Sequence, residues 1–322
     1  MKHVFIIHSH TTFLIALSAI KKEILREDDI IFLYGRNYTN SIVKVPYKIY
    51  CIDDIYSFED KHGIKYRLNP FYQYRHIHNV DRFVKEKIGE DFAIYVPHIV
   101  FRLFQILVTN PLCKQINLIQ ESGVTFMNKR LTFNSVISNF LTFFSQRIWY
   151  KDDWLIPLRL LPKMNKTFSL NIDYFSKIEC KEHVLVKFPQ INISLELDTT
   201  KPIYLLEASA EHKCVETNIF LEGCRYMIED SKHDLNYIKF HPGQSKENRE
   251  KILSFFGNSV VKERPSDVPF ELILGSFRNL KLYGFTTSLL GFGKNLDHEV
   301  HSYADYLIKN SKKYADYVNS MS

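Results

Sequence analysis

Four short stretches hold residue types that can do chemistry together: Glu121-Ser122-Gly123, Lys239-Phe240-His241-Pro242, Pro269-Phe270-Glu271-Leu272 and Thr286-Thr287-Ser288. Glu121 offers a carboxylate that can take a proton from a hydroxyl. His241, as an imidazole titrating near neutrality, can hand a proton to a departing phosphate. Pro242 locks its own φ and restricts the residue before it, so the imidazole stands at a rigid corner. Gly243 allows close backbone approach, and the helix start that follows favours an anion. Glu271 can accept hydrogen bonds from a ribose diol. The hydroxyls of Thr286, Thr287 and Ser288 fall at a predicted helix N-terminus and suit a phosphate. Each piece also has a plain structural reading. His-Pro punctuates turns, Glu121 could cap a loop, the hydroxyls could be an N-cap, and Glu271 could be a first-turn glutamate favoured by the helix dipole. What joins them is their order and their placement at predicted strand ends.

Further candidates flank these. His8 and His10 lie in a loop at the mouth of the first predicted strand. They could form a metal pair, but no third ligand stands out, so no metal is expected and the loop is read as lining a substrate cleft. Ser209 follows Leu205-Leu206 in the loop after a later strand.

Positioning these groups calls for alternating strands and helices. Apolar runs at residues 4–7, 30–34, 92–96 and 116–119 read as buried strands, with helices beginning near Thr12 and spanning 80–88. The grammar restarts near residue 201. Strands are expected at 203–206, 237–240, 260–261 and 280–284, and helices at 215–221, 246–256 and 270–274, with a mostly polar tail helix over 298–318. Such alternation implies parallel sheets covered on both faces, with ligands beyond the carboxyl ends of the strands. Two series imply two domains. The first, 1–190, includes an irregular helical insertion over about 130–190. The second is 191–322, its tail helix packing back on the first domain. Residues 131–154 are rich in Phe, Ile, Leu and Trp. They read either as an amphipathic patch on a membrane surface or, preferably, as a hydrophobic helix bridging the domains.

Composition sets the bounds. The chain has 322 residues, 45% hydrophobic and 24% charged, which excludes a disordered protein and allows two cores. A net charge of +6 suits an anionic partner such as a nucleotide, an acidic glycan or a membrane surface. Cys51, Cys113, Cys180, Cys214 and Cys224 show no metal-type spacing and fit a reducing compartment. Residues 4–7 are too short for a signal-peptide core, and no run of about 18 apolar residues occurs, so a cytoplasmic protein is expected.

In the order of its motifs the chain resembles the two-domain GT-B bacterial sialyltransferases. These comprise the lipooligosaccharide enzymes, the multifunctional enzymes, the polysialyltransferases and capsule-associated relatives (glycosyltransferase families 52, 80 and 97). Those families share an acidic pair before Gly in the first domain. In the second they carry a His-Pro motif, a Phe/Val-Glu step and a Ser/Thr pair. The resemblance implies two Rossmann-like domains facing each other across a cleft, with Glu121 as general base and His241 as acid or phosphate stabiliser. It further implies that Lys239 and Glu271 contact the cytidine, that Thr287 and Ser288 grip the phosphate, and that Ser209 lies near the donor. Thr286, Pro242 and Gly243 join the donor side; His8, His10 and Gly123 join the acceptor side. Ser122 stands where a second acidic residue is usual, so Glu121 is the carboxylate available.

The expected reaction is an inverting, metal-independent transfer of sialic acid or a related nonulosonate from a CMP-sugar to a hydroxyl of a lipooligosaccharide or capsule glycan. No cofactor and no nucleic-acid partner are expected. Peripheral membrane contact is one expectation for the middle segment. Two other readings stay open: a GT-B glycosyltransferase using another nucleotide sugar, such as CMP-pseudaminic acid or CMP-Kdo, and a non-catalytic nucleotide- or glycan-binding protein.

Overall fold

A computed structural model describes all residues except 41, 123–146, 149–157, 192, 194, 265–267 and 322. The chain divides into two compact units, Met1–Phe188 and Pro189–Ser322.

The first unit is built on a seven-stranded parallel sheet in the order β3-β2-β1-β4-β5-β6-β7. Its strands are β1 (Lys2–Ile7), β2 (Ile30–Tyr34), β3 (Lys48–Cys51), β4 (Phe92–Val96), β5 (Cys113–Ile119), β6 (Met164–Ser169) and β7 (Glu182–Leu185). The central strands are apolar runs because helices cover both faces. Val4, Phe5, Ile6 and Ile7 are fully buried, and so is nearly all of β4. Helix α1 (His10–Glu23) starts at Ser9, whose hydroxyl accepts from the Thr12 amide while Thr12 Oγ1 accepts from the Ser9 amide. That reciprocal cap fixes where the chain turns after β1, and hence where His8 points.

Strands β6 and β7 lie inside the stretch expected to be irregular and helical. Their sequences, MNKTFS and EHVL, carry no apolar run: in β6 two of the buried positions are the polar Thr167 and Ser169, and three of the four residues of β7 are not fully buried. Residues 131–154 fall outside the described residues, apart from Arg147 and Ile148. Among the described residues no helix is long and apolar enough to cross a membrane.

The second unit holds a five-stranded parallel sheet in the order β10-β9-β8-β11-β12. Here β8 is Pro202–Leu205, β9 Leu235–Lys239, β10 Val260–Glu263, β11 Lys281–Gly284 and β12 Glu299–Ser302. The start of the expected tail helix is therefore an edge strand, whose alternating polar residues conceal it. Two short helices follow, Ala304–Asn310 and Lys312–Met321. Leu307 and Tyr314 from them are fully buried in the second unit's own core, beside Phe220, Cys224 and Phe285. The tail thus packs on the unit it follows.

Candidate functional site

In the first unit, four adjacent strands each release one polar side chain just past their carboxyl ends. Arg36 follows β2, His8 follows β1, His98 follows β4 and Glu121 follows β5. The strand order reverses between β1 and β4, the crevice where open α/β sheets bind ligands. His8 and His98 flank that crevice with ring centroids 6.3 Å apart.

Glu121 is the point of convergence. His8 Nε2 lies 2.9 Å from Oε1 but off the axis of a directed hydrogen bond, so the contact is electrostatic. Arg36 Nη1 donates to Oε1 at 3.3 Å, and His98 Nε2 stands 3.6 Å from Oε2. Burial pushes the carboxyl pKa up, but the contact with His8, and the charges of His8, His98 and Arg36, outweigh it and hold it at about 2. Burial also pushes His98 down to about 3. At neutral pH His98 is thus uncharged, and the groups that keep Glu121 ionised are first the His8 contact and then Arg36.

The histidine tautomers follow from their other partners. His98 Nδ1 accepts from the Val100 amide at 3.3 Å, which places its proton on Nε2, toward Glu121. Tyr56, whose phenol burial pushes up so that it keeps its proton, lies 3.3 Å from His8 Nδ1 and can donate there. Glu121 itself is held by Gln120, a fully buried side chain. Its amide donates to the Ser122 carbonyl at 2.7 Å, and its oxygen accepts from the Leu170 amide at 2.7 Å, tying the β5 exit to the β6 exit. Ser122 lies 3.4 Å from the Tyr174 hydroxyl. His10 turns instead to the Tyr38 hydroxyl at 3.2 Å. Gly123 lies outside the described residues.

In the second unit the order reverses between β8 and β11, and the loops after β8, β9 and β11 carry most of the remaining candidates. His241 is exposed, and its Nδ1 accepts from the Gly243 amide at 3.0 Å. The proton therefore sits on Nε2, which is left to donate outward. Burial and then His212 lower the His241 pKa. The role of Gly243 is steric, since a Cβ there would lie 3.2 Å from His241 Nδ1. Pro242 occupies a turn closed by the Gln244 amide on the His241 carbonyl. Lys239 ends β9, and Glu271 lies in the first turn of the helix Phe270–Ser276.

The hydroxyl cluster divides its labour. Thr286 donates from both its amide and its hydroxyl to Glu207, which also accepts from Tyr314 at 2.8 Å. Thr287 caps the helix Ser288–Asn295. The Ser288 hydroxyl has no partner among the described residues.

Unsatisfied polar groups gather beside His241. The Ser209 hydroxyl, both ends of the Gln244 amide and Glu211 Oε2 are buried without a hydrogen-bond partner among the described residues. Glu211 Oε1 accepts from the Ser245 amide and from Asn248, so the β8 and β9 loops form one seam. Each unpartnered buried group costs about 1–3 kcal/mol. Such groups are rare, and their concentration at strand ends marks a surface built for a polar ligand.

Sequence reasoning missed Arg36, His98, Glu207, Glu211 and Gln244. Arg36 and His98 follow strands by two residues, as Glu121 does, and that offset was the available signal. Among the described residues no group of three or more His, Cys, Asp or Glu side chains is placed to hold a metal ion.

No protein-family profile matches the chain, and no curated protein matches it. Solved structures do. A putative UDP-N-acetylglucosamine 2-epimerase from Listeria monocytogenes aligns with a TM-score of 0.51 at 10% identity, over 99% of this chain and 89% of that one. MnaA from S. aureus, solved with UDP, aligns with a TM-score of 0.50 at 11% identity, over 93% and 78%. This is the GT-B fold. A sialyltransferase from Photobacterium damsela aligns with a TM-score of 0.46 at 13% identity, over 96% and 78%; at that level it counts neither for nor against a substrate. The GT-B fold accounts for the paired parallel sheets, and the function has to be argued from the side chains.

Proposed function

We propose that the chain is an inverting glycosyltransferase that moves sialic acid, or a related nonulosonate, from a CMP-sugar to a hydroxyl of a surface glycan. The observation that carries this reading is Glu121, an ionised carboxylate about a quarter exposed, set at the carboxyl ends of four neighbouring strands. Glu121 is the general base. A carboxylate held at about 2 is a weak base in the resting site. It suffices where the transition state is oxocarbenium-like, because the attacking hydroxyl becomes strongly acidic only as its new bond forms.

The donor side rests on the second unit. The bond from the anomeric carbon to the phosphate oxygen breaks, and its electron pair leaves with CMP. The acceptor oxygen bonds to the opposite face of that carbon, and its proton passes to Glu121. His241, with its Nε2–H directed outward, donates to the departing phosphate. Ser288 and the backbone at the start of its helix supply further donors, while Thr286 holds the loop through Glu207. The seam of Ser209, Glu211 and Gln244 offers donors and acceptors to the nucleotide. No metal is required for this chemistry. The five cysteines are all free, which fits the cytoplasm, where a CMP-sugar would be met.

The test is transfer itself. Purified protein is incubated with CMP-sialic acid, CMP-pseudaminic acid, CMP-Kdo and UDP-sugars, each with a lipooligosaccharide- or capsule-type acceptor, and the product is read by mass and anomeric configuration. An inverted product from a CMP-nonulosonate is expected. Transfer from a UDP-sugar alone, or turnover of no donor, would overturn the reading.

A further inference from the structure

A cavity of about 390 Å³ opens in the first unit beside Glu121, with Arg36 standing in its wall. The volume lies in the range of small-molecule clefts, about 300–1,000 Å³. One side of it is apolar: Phe101, Leu103 and the ring of Tyr56. The Arg36 guanidinium lies over Phe101, 5.0 Å from the ring centroid, so the cation and the aromatic wall are one surface.

The charges of the lining largely cancel. Arg102 is buried and paired with Glu59 at 3.3 Å. Arg36 is paired with Glu121. His76 is uncharged at neutral pH, because burial pushes it down to about 4. Its tautomer is set by the Tyr66 hydroxyl at Nδ1 and the Ile55 carbonyl at Nε2. Asp60, which is exposed, is the charge in this lining without a partner among the described residues. Asn37 adds a side-chain amide whose hydrogen-bonding capacity is unused among the described residues.

The loop that presents Arg36 and Asn37 is held in a costly shape. Both residues adopt left-handed backbone, with φ of 58° and 55°. The Asn37 amide donates to Asp53 Oδ1 at 2.9 Å, which pins the loop. Gly35 is required before them, since a Cβ there would lie 2.6 Å from the Tyr56 ring. Strain of this kind persists only where surrounding structure enforces it, and it collects at ligand sites.

An apolar wall, a hydrogen-bond acceptor that is charged, and a neighbouring amide suit a ring with one C–H face and several hydroxyls. They do not suit a ring that carries its own carboxylate, which Asp60 would repel. Resting on the transferase reading, we infer that this cavity seats an uncharged pyranose of the acceptor, with its hydroxyls on Asp60 and Asn37. The enzyme therefore transfers to a neutral glycan end and does not extend a chain that already ends in a nonulosonate.

The test is direct sugar binding by saturation-transfer NMR and titration calorimetry, with methyl β-galactoside and the methyl α-glycoside of sialic acid as probes. CMP affinity is measured in the same samples. The galactoside is expected to bind at least 5-fold more tightly than the sialoside. Asp60→Asn, an exposed substitution that spares the fold, should weaken the galactoside about 10-fold and narrow the preference, as loss of a hydrogen bond to a charged group does. CMP affinity should not change. Asn37→Ala should weaken the galactoside as well, and Phe101→Leu gives a third reading in which the apolar wall is reshaped.

A sialoside preference, or galactoside binding indifferent to Asp60 and Asn37, overturns the inference while leaving CMP-sugar turnover intact. Galactoside binding that depends on Asp60, in a protein that neither binds nor turns over any CMP-sugar, overturns the transferase reading and the acceptor role. In that case the cavity stands as a sugar site.

Discussion

At the residue scale Glu121 is the proposed base, and its neighbours decide how it behaves. Because its pKa is held at about 2, transfer should show no acid limb from Glu121 between pH 5 and 8. His8→Ala removes the largest of the contacts that hold it low, so the acid limb should climb toward the ordinary carboxylate range. A profile of kcat/KM against pH for the two proteins checks this. At the second unit, Gly243→Ala places a methyl 3.2 Å from His241 Nδ1 and disturbs the hydrogen bond that fixes the tautomer. Activity should fall by about an order of magnitude with little change in Tm, and nitrogen NMR of the imidazole should show mixed tautomers. The strand-end placement of Glu121, His8 and His241 was legible in the sequence because each follows an apolar run that could only be a strand. Arg36 and His98 were not, because a single arginine or histidine in a loop gains meaning only once its strand's neighbours are known. The buried amide of Gln244 was illegible for the same reason, since burial of a polar residue in a turn leaves no pattern.

At the scale of elements, strand ends do the positioning. The central strands β1, β2, β4, β5, β8, β9 and β11 could be read directly, as apolar runs buried on both faces. The strands β3, β6, β7 and β12 lie toward the edges of their sheets, mix polar with apolar residues and were missed or absorbed into other elements. Tail helices mattered more than their polar sequence suggested, because the Tyr314 hydroxyl lies 2.8 Å from both Glu207 and the Thr286 hydroxyl. Tyr314→Phe leaves Glu207 short of one donor while keeping the ring. A loss of about 1–2 kcal/mol in urea denaturation is expected, whereas Tyr314→Ala should cost about 3–5 kcal/mol through the cavity as well. Loss of CMP affinity in Tyr314→Phe would show further that this tie holds the loop after β11 in place.

The whole molecule should be labile to acid, and the sign is set by buried groups. His98 and His76 stay neutral in the folded chain down to about pH 3 and about pH 4, while the unfolded chain takes protons on them near 6.5. Over that window the unfolded state binds more protons, so stability falls as pH drops, by about 1.4 kcal/mol per pH unit for each histidine. Glu121 acts in the same direction from about 4.5 toward 2, since its folded pKa is depressed. Urea midpoints should therefore fall steadily from pH 7 to pH 4.5, and His98→Gln should flatten that slope. The central claim is that one chain provides a base in its first unit and a phosphate donor in its second. Its most direct test is acceptor-stimulated CMP release from CMP-sialic acid by wild type, Glu121→Gln and His241→Ala, with CMP affinity measured on each. Glu121→Gln should lose about 100- to 10,000-fold in release while binding CMP like the wild type, and His241→Ala should lose about 100- to 1,000-fold. Full activity in either variant, or a wild-type protein that neither binds CMP nor releases it, would contradict the account.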